Sequence, residues 1–183
     1  LGDVYKRQDQ IQEKKQKISD QKAEEAIKMI IEWIGENPDR EGLKSTPQRV
    51  VKAFRESGRA LGYLFQITDD VLGIWGDKQK TGKPVGQDIA RKKNSLPAVH
   101  AMSKSNRKQS ALLKNIYSKQ NLDQNDVDTV LNIMNTIGTK NYIGSLADKY
   151  ANSALKSFYS AKVESKFIGK FEEIVQFLLT RNH

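Results

Sequence analysis

The chain contains no cysteine among its 183 residues, has only 4 prolines, and lacks any long apolar run. Without cysteine it can form neither a disulfide framework nor a zinc site with thiolate ligands. The lack of cysteine also favours a reducing compartment. No apolar segment approaches the ~20 residues that a membrane-spanning helix needs. We therefore expect a soluble, cytoplasmic protein with no membrane span.

The charge is unbalanced, with 31 Lys and Arg against 22 Asp and Glu and a formal net charge of +9. Such a balance would suit a nucleic-acid binder, because basic side chains neutralise phosphates. Here the basic residues are spread along the chain, and no aromatic platform or helix-turn-helix pattern accompanies them. Nucleic acid is therefore not an expected partner, and steep salt dependence of DNA or RNA binding would be needed to revive that alternative.

Apolar residues recur at helical spacing over most of the chain, whereas no convincing two-residue alternation occurs. One helix is predicted from Ala23 to Ile34, ended by Gly35. A second is predicted to begin at Thr46 and Pro47 and to run on towards Trp75. Helical patterns resume after Ser95 and continue towards the C-terminus. The predicted fold class is all-α.

The N-terminal region is of a different kind. Residues 1–8 match neither of the two sequence patterns described below and are interpreted as an adaptor scar. Residues 9–22 are rich in Gln and Lys with few apolar positions, so a frayed helix or a disordered arm is expected there. Residues 1–22 are therefore set apart from the folded part.

The segment 65–73 is the most informative in the chain. Gln66, Asp69, Asp70 and Gly73 fall at i, i+3, i+4 and i+7, so they share one polar strip of a helix. The opposite face carries a wide apolar stripe, predicted to be buried together with neighbouring side chains that include Phe65 and Trp75. Glycine leaves room on the polar strip for another group to approach. Basic residues follow at 83 and 91–93, and carboxylates followed by basic residues suggest a phosphate bridged by a metal ion.

The sequence FQITDDVLGIWGD at 65–77, followed by TGKPVGQDIARKKNSLP at 81–97, resembles the second aspartate-rich region of the polyprenyl diphosphate synthase family. The resemblance runs from about residue 57 to 183 and implies part of an isoprenoid-synthase helical bundle. It covers roughly the C-terminal half of a family member. Asp69-Asp70 is the only pair of adjacent aspartates, so the family's first aspartate-rich motif does not occur in this sequence.

The resemblance implies a prenyltransferase, which uses Mg²⁺ to condense isopentenyl diphosphate with an allylic diphosphate. It implies that Asp69 is a direct magnesium ligand and that Asp70 supports the ion through bound water. By the same resemblance Lys83 and Lys93 contact the substrate diphosphate, and Gln66 lies near its allylic end. Since the facing aspartate-rich helix does not occur in the sequence, we expect this chain to be inactive alone.

Two features leave alternatives open. Gly73 stands where the family often has a third Asp, so the affinity for metal is open. Asp69 and Asp70 could also be no more than the solvated face of an amphipathic helix. His100 has no neighbouring Cys or His to share a metal and is interpreted as a helix-face residue.

Residues 23–54 resemble a different family, through EEAI at 24–27, WIGENPDREGL at 33–43 and STPQRVVKAF at 45–54. This pattern is similar to the N-terminal region of GTP cyclohydrolase I. That family needs a zinc held by two Cys and a His, so the absence of cysteine excludes its chemistry here. Two unrelated enzyme segments that meet near residues 55–58 indicate a chimeric reading frame.

A noncatalytic helical interaction module is the alternative function. Its apolar stripes would dock a partner in place of the absent half of the bundle, because exposed apolar faces favour association. A homo-oligomer is one form that this association would take.

Overall fold

The computed structural model describes residues 18–76, 84–162 and 165–181, and within these ranges it contains α-helices and no β-strand. The helices are α1 (Asp20–Trp33), α2 (Thr46–Trp75), α3 (Gln87–Ala90), α4 (Leu96–Lys104), α5 (Arg107–Ser118), α6 (Gln124–Thr136), α7 (Thr139–Tyr159) and α8 (Ser165–Thr180). The all-α prediction is confirmed. None of the helices in these ranges has both the length and the apolar character that crossing a bilayer requires.

The chain divides into two compact units between Lys52 and Ala53. Helix α2 passes this point without a break, as the sequence indicated. The domain limits drawn from the sequence, 1–22, 23–54 and 57–183, stay predictions.

In the first unit α1 begins at Asp20, three residues before the expected start. The reason is a local cap, since the Ser19 hydroxyl accepts a hydrogen bond from the backbone N–H of Lys22 at 3.3 Å. Gly35 follows the helix with φ of +87°, which suits a residue without Cβ. Ile31 is buried, but Ile30 on the same face remains 53% exposed.

The second unit is built on two apolar clusters, and α2 contributes to both. The first cluster joins the middle of α2 to α7 and α8 through Ala60, Leu64, Ile67, Ile143, Ala147, Ala151, Ala154, Val175 and Leu178. The second joins the end of α2 to α3, α4, α5 and α6 through Ile74, Ile89, Ala98, Ala101, Leu113, Ile116, Val127, Val130, Ile133 and Met134. Burial of the apolar stripe of α2 is thereby confirmed at Ala60, Leu64, Ile67 and Ile74. Packing on both sides holds the last turns of α2, where the two aspartates lie.

Local signals set the ends of the later helices. Helices α5 and α6 each begin with a capping box, formed by Asn106 with Gln109 and by Asp123 with Asp126. Gly138, with φ of +71°, separates α6 from α7. The sequence predicted a helix end at Gly138 but neither capping box. The backbone N–H of Gly86 donates to the Ile74 carbonyl at 2.9 Å, which places the segment that follows beside the end of α2.

Candidate functional site

Asp70 joins the end of α2 to the start of α4. Its Oδ2 accepts a hydrogen bond from the backbone N–H of Leu96 at 2.8 Å, and its Oδ1 accepts one from Lys93 Nζ at 3.0 Å. Leu96 is the first residue of α4, and the N-cap residue Ser95 makes no side-chain capping bond. A carboxylate at a helix N-terminus satisfies an otherwise unpaired N–H and meets the positive end of the helix dipole. Asp70 therefore caps α4 from another helix.

Lys93 brings three carboxylates together. Its Nζ lies 3.0 Å from Asp70 Oδ1, 3.0 Å from Asp88 Oδ2 and 3.8 Å from Asp69 Oδ2. Partial burial disfavours its charge, but the ion pairs with Asp88 and Asp70 outweigh that effect and hold the pKa of Lys93 well above its usual range. Lys93 is therefore a permanent cation at this site.

Lys92, next to Lys93 in the sequence, binds a different part of the protein. Lys92 has a left-handed backbone, with φ of +52°, and its Nζ donates to the backbone carbonyl of Lys119 at the end of α5. The backbone N–H of Lys93 donates to the Asp88 carbonyl at 2.8 Å. The turn after α3 thus separates two adjacent lysines, and only Lys93 reaches the aspartates.

Asp88 approaches the polar strip of α2 at Gly73. A Cβ atom built at Gly73 would overlap the Asp88 carboxylate. The side chain of Asp88 is 12% exposed, and its Oδ2, although close to Lys93, accepts no hydrogen bond of good geometry from the described residues. The room expected beside Gly73 is therefore filled by a carboxylate of the same chain. Asp88 was not predicted from the sequence as a site residue, although it lies within the motif at 81–97.

Asp69 is the exposed member of the group, with a side chain that is 58% accessible. Its Oδ1 lies 3.9 Å from Nη2 of Arg181, which follows α8. The Arg181 guanidinium also lies 4.5 Å from the centre of the Phe65 ring, in a cation–π arrangement. Arg181 is a second cation beside Asp69 that sequence reasoning missed.

The prediction that Phe65 is buried is wrong. Phe65 was expected to pack with the buried stripe, but it remains 49% exposed. The stripe of α2 is narrower than the residue pattern suggested, and the ring of Phe65 supports Arg181 on the surface instead.

The remaining predicted residues are placed as follows. Gln66 is exposed on α2, one turn before Asp70, and Lys83 lies outside the described residues. His100 is buried, with Nδ1 3.1 Å from Thr139 Oγ1 and its ring stacked 4.2 Å from that of Tyr142. Burial, and secondarily the charge of Lys104, lower the pKa of His100.

The acidic group does not form a closed metal cage. In the described ranges, no three His, Cys, Asp or Glu side chains lie close enough to hold one ion together. Both oxygens of Asp70 already accept hydrogen bonds from protein donors. An ion at this site would therefore take one or two carboxylates, with Asp69 the most accessible, and would need its other ligands from a bound anion and water.

Known sequences are similar to this chain in the region that contains Asp69 and Asp70. The family model for polyprenyl synthetase matches residues 41–134, about half of the chain. A geranylgeranyl diphosphate synthase of Mycobacterium tuberculosis is 32% identical over 111 residues, which are 61% of this chain and 32% of that protein. The GTP cyclohydrolase 1 of Pelagibacter ubique is 65% identical over 40 residues, which are 22% of this chain and 20% of that protein.

Solved structures show the same fold. The geranylgeranyl pyrophosphate synthetase of Pyrococcus horikoshii superposes with a TM-score of 0.64 and 27% identity, covering 73% of this chain and 40% of that one. A geranylgeranyl pyrophosphate synthase of Corynebacterium glutamicum, solved with isoprenyl diphosphate and magnesium, has a TM-score of 0.63 at 20% identity and covers 73% of this chain and 38% of that one.

The chain thus spans between about a third and two fifths of the length of these synthases. The matched residues include the end of α2, the segment 87–95 and α4, which together hold Asp69, Asp70, Asp88 and Lys93. On the family match and the shared fold, the chain belongs to the polyprenyl synthetase family.

Proposed function

We propose that this chain carries the second aspartate-rich part of a prenyltransferase site and binds an isoprenyl diphosphate together with Mg²⁺. The observation that carries the proposal is the convergence of Lys93 and Arg181 on the exposed carboxylate of Asp69. A diphosphate needs cations around it, and a metal that bridges it to the protein needs a carboxylate.

Magnesium fits this donor set. It usually takes one or two protein carboxylates and completes its coordination with water and phosphate oxygens. Asp69 offers an exposed carboxylate for that role, and the absence of a closed cage in the described residues agrees with it. When bound, Mg²⁺ would supply positive charge to the diphosphate that leaves.

The chain's own residues then have separate tasks. Asp69 would hold the metal, whereas Asp70 would position it indirectly, since its oxygens already bind Leu96 and Lys93. Lys93 would donate to the diphosphate and stabilise the charge that develops as it leaves. Lys83 and Gln66 are proposed on the family resemblance to contact the diphosphate and to lie near the allylic end.

The complete reaction of the family would be condensation of isopentenyl diphosphate with an allylic diphosphate. We propose that this chain does not perform it alone, because its sequence has a single aspartate pair and misplacement of reacting groups by ~1 Å can cost about 100-fold in rate. A cytoplasmic location stays a prediction.

Binding and turnover test different parts of this proposal. Calorimetric titration with inorganic pyrophosphate should show binding only when Mg²⁺ is present. Asp69→Asn and Lys83→Ala should each weaken it, because each changes the charge of the proposed site. Asp128→Asn, an exposed aspartate on α6, is the matched control and should bind as the unmodified chain does.

Binding that Asp69→Asn and Lys83→Ala both leave unchanged would refute the assigned site. An assay with isopentenyl diphosphate and geranyl or farnesyl diphosphate should give no product. Turnover at a rate typical of enzymes, abolished by Asp69→Ala, would show that the chain is active and that the proposed inactivity is wrong.

For residues 23–54 we propose a chimeric origin, in which part of a cyclohydrolase-like gene was joined to a synthase-like gene. The support is the 65% identity to a GTP cyclohydrolase 1 over 40 residues. The complete absence of cysteine leaves the zinc chemistry of that family without its ligands. Single-molecule reads across the codons for Phe54 to Gly58 test this origin, and repeated intact reads through both parts would overturn it.

A noncatalytic interaction module remains the second candidate, and one observation favours it. Several large apolar side chains of the second unit are about half exposed or more, among them Tyr63, Phe65, Ile174 and Phe177. Such surface favours association with another protein or a second copy of the chain. Sedimentation that shows concentration-dependent oligomers, unaffected by Mg²⁺ and pyrophosphate, would support this candidate, whereas a monomer at all concentrations would contradict self-association.

A further inference from the structure

Lys93 occupies the place among the carboxylates where a cation would bind. Its Nζ is 3.0 Å from both Asp70 and Asp88 and 3.8 Å from Asp69. Resting on the diphosphate-binding function proposed above, we infer that Lys93 is the resident counter-ion of this acidic group. It excludes a free divalent cation, so that metal enters only together with a diphosphate.

The distances make the two cations compete. Magnesium binds oxygen at about 2.0–2.1 Å, so an ion held by Asp69 and a neighbouring carboxylate would lie a few ångströms from the lysine ammonium. At such separations two positive charges repel strongly unless anions lie between them. A free metal ion must therefore displace Lys93 from its ion pairs or bind weakly.

A diphosphate removes this conflict. It brings negative charge for both cations and offers the lysine new acceptors in place of the carboxylates. The Lys93 side chain is 43% exposed, and its flexible stem with three donors allows the ammonium to move from one partner to another. Metal and diphosphate then bind cooperatively, and the coupling is reciprocal.

Two of the acidic residues have contacts that do not depend on the Lys93 ammonium. Asp70 keeps its hydrogen bond from the Leu96 N–H. Asp88 lies against α2 at Gly73, and its backbone carbonyl keeps the hydrogen bond from the Lys93 N–H. The lysine side chain is then the part that changes partners, and a metal ion would take one or two of the carboxylates, with Asp69 the most accessible.

The test compares the affinity of the protein for Mn²⁺ alone with its affinity in the presence of inorganic pyrophosphate. The readout is the paramagnetic resonance of free Mn²⁺, referred to a protein-free sample with the same pyrophosphate, because pyrophosphate itself binds Mn²⁺. The variants are Lys93→Gln, which removes the ammonium, and Lys93→Arg, which keeps a charge. Lys92→Gln is the matched control, since this neighbour loses the same charge but binds the Lys119 carbonyl. Circular dichroism confirms that each variant is folded.

Lys93→Gln should bind Mn²⁺ alone about tenfold more tightly than the unmodified chain, because repulsion at the site is removed. In Lys93→Gln, the increase in Mn²⁺ affinity that pyrophosphate produces should also be much smaller than in the unmodified chain. Lys92→Gln and Lys93→Arg should bind Mn²⁺ alone as the unmodified chain does.

Equal affinity of the unmodified chain and Lys93→Gln for Mn²⁺ alone would overturn the inference while leaving the diphosphate site intact. If Lys93→Gln does not fold, the affinity of the unmodified chain for Mn²⁺ with and without pyrophosphate still tests the inference. Mn²⁺ bound as tightly without pyrophosphate as with it would also overturn the inference. If the protein binds no Mn²⁺ even in the presence of pyrophosphate, the proposed function itself is overturned.

Discussion

Gly73 and Asp88 are in such close approach that a methyl group at position 73 would overlap the Asp88 carboxylate. The position where the family often has a third aspartate is thus covered here by a carboxylate from α3. A side chain at 73 and the present placement of Asp88 exclude each other. A side chain at 73 would force the Asp88 carboxylate to move, and in its present place Asp88 supplies a third carboxylate to the group around Lys93.

Gly73→Ala should therefore destabilise the protein, by about 1–3 kcal/mol if the overlap is relieved by local shifts. Gly62→Ala is the matched control, because Gly62 lies on the same helix with no atom within 4 Å of its Cβ position. That control should stabilise by ~0.5–1 kcal/mol, as alanine is the better helix former. Urea denaturation followed by circular dichroism measures the change in the free energy of unfolding for both variants. Equal changes for Gly73→Ala and Gly62→Ala would contradict the close approach of Gly73 and Asp88.

Asp69 and Asp70 should differ sharply when each is replaced by alanine. Asp70→Ala removes the cap of α4 and should cost ~1–2 kcal/mol of stability. Asp69→Ala should change stability by less than about 0.5 kcal/mol, because its ion pairs are long and its side chain is mostly exposed. Unfolding free energies from urea titration give the comparison, and similar losses for the two variants would contradict the separate roles.

Stability should fall as the pH is lowered through the range in which histidine titrates. The folded state lowers the pKa of His100 below its ordinary value of 6.5, so the unfolded chain binds a proton more readily. Stability contributed by neutral His100 is complete well above pH 6.5 and is lost as the pH falls below it. Urea titrations at pH 7.5 and 5.5 measure the difference.

His100→Gln is the comparison for this pH effect, and its stability should depend less on pH over the same range. The chain has 2 histidines, and the other, His183, lies outside the described residues. Carboxylates with ordinary pKa values titrate below this range. The same pH dependence in the unmodified chain and in His100→Gln would contradict the assignment.

Deletion of residues 1–54 should leave the helical content per residue nearly unchanged. Both apolar clusters of the second unit are built from residues at or after Ala60, so the deletion removes none of their members. Circular dichroism of the shortened and complete chains tests this. A large, cooperative loss of thermal stability in the shortened chain would show that the N-terminal residues belong to the same core.

The helices could be predicted from the sequence because the signals that begin and end them are local. Thr46 and Pro47 mark the start of α2, Ser95 precedes α4, and Gly138 separates α6 from α7. Apolar residues at helical spacing show which side of α2 is buried. The same period places Asp69 and Asp70 on the opposite strip, whereas Lys93 was named only through the family resemblance, as a contact of the diphosphate.

The sequence alone therefore determined the all-α class, the limits of α1 to within three residues, the start of α2, and the place of the aspartate pair on the polar side of α2. Only the tertiary structure brought Asp88 to Gly73 and Arg181 to Phe65 and Asp69. It also decided that Asp70 is a cap and Asp69 the exposed carboxylate. Helical periodicity and caps arise among residues a few positions apart, whereas these contacts depend on how α2, α3, α4 and α8 pack together.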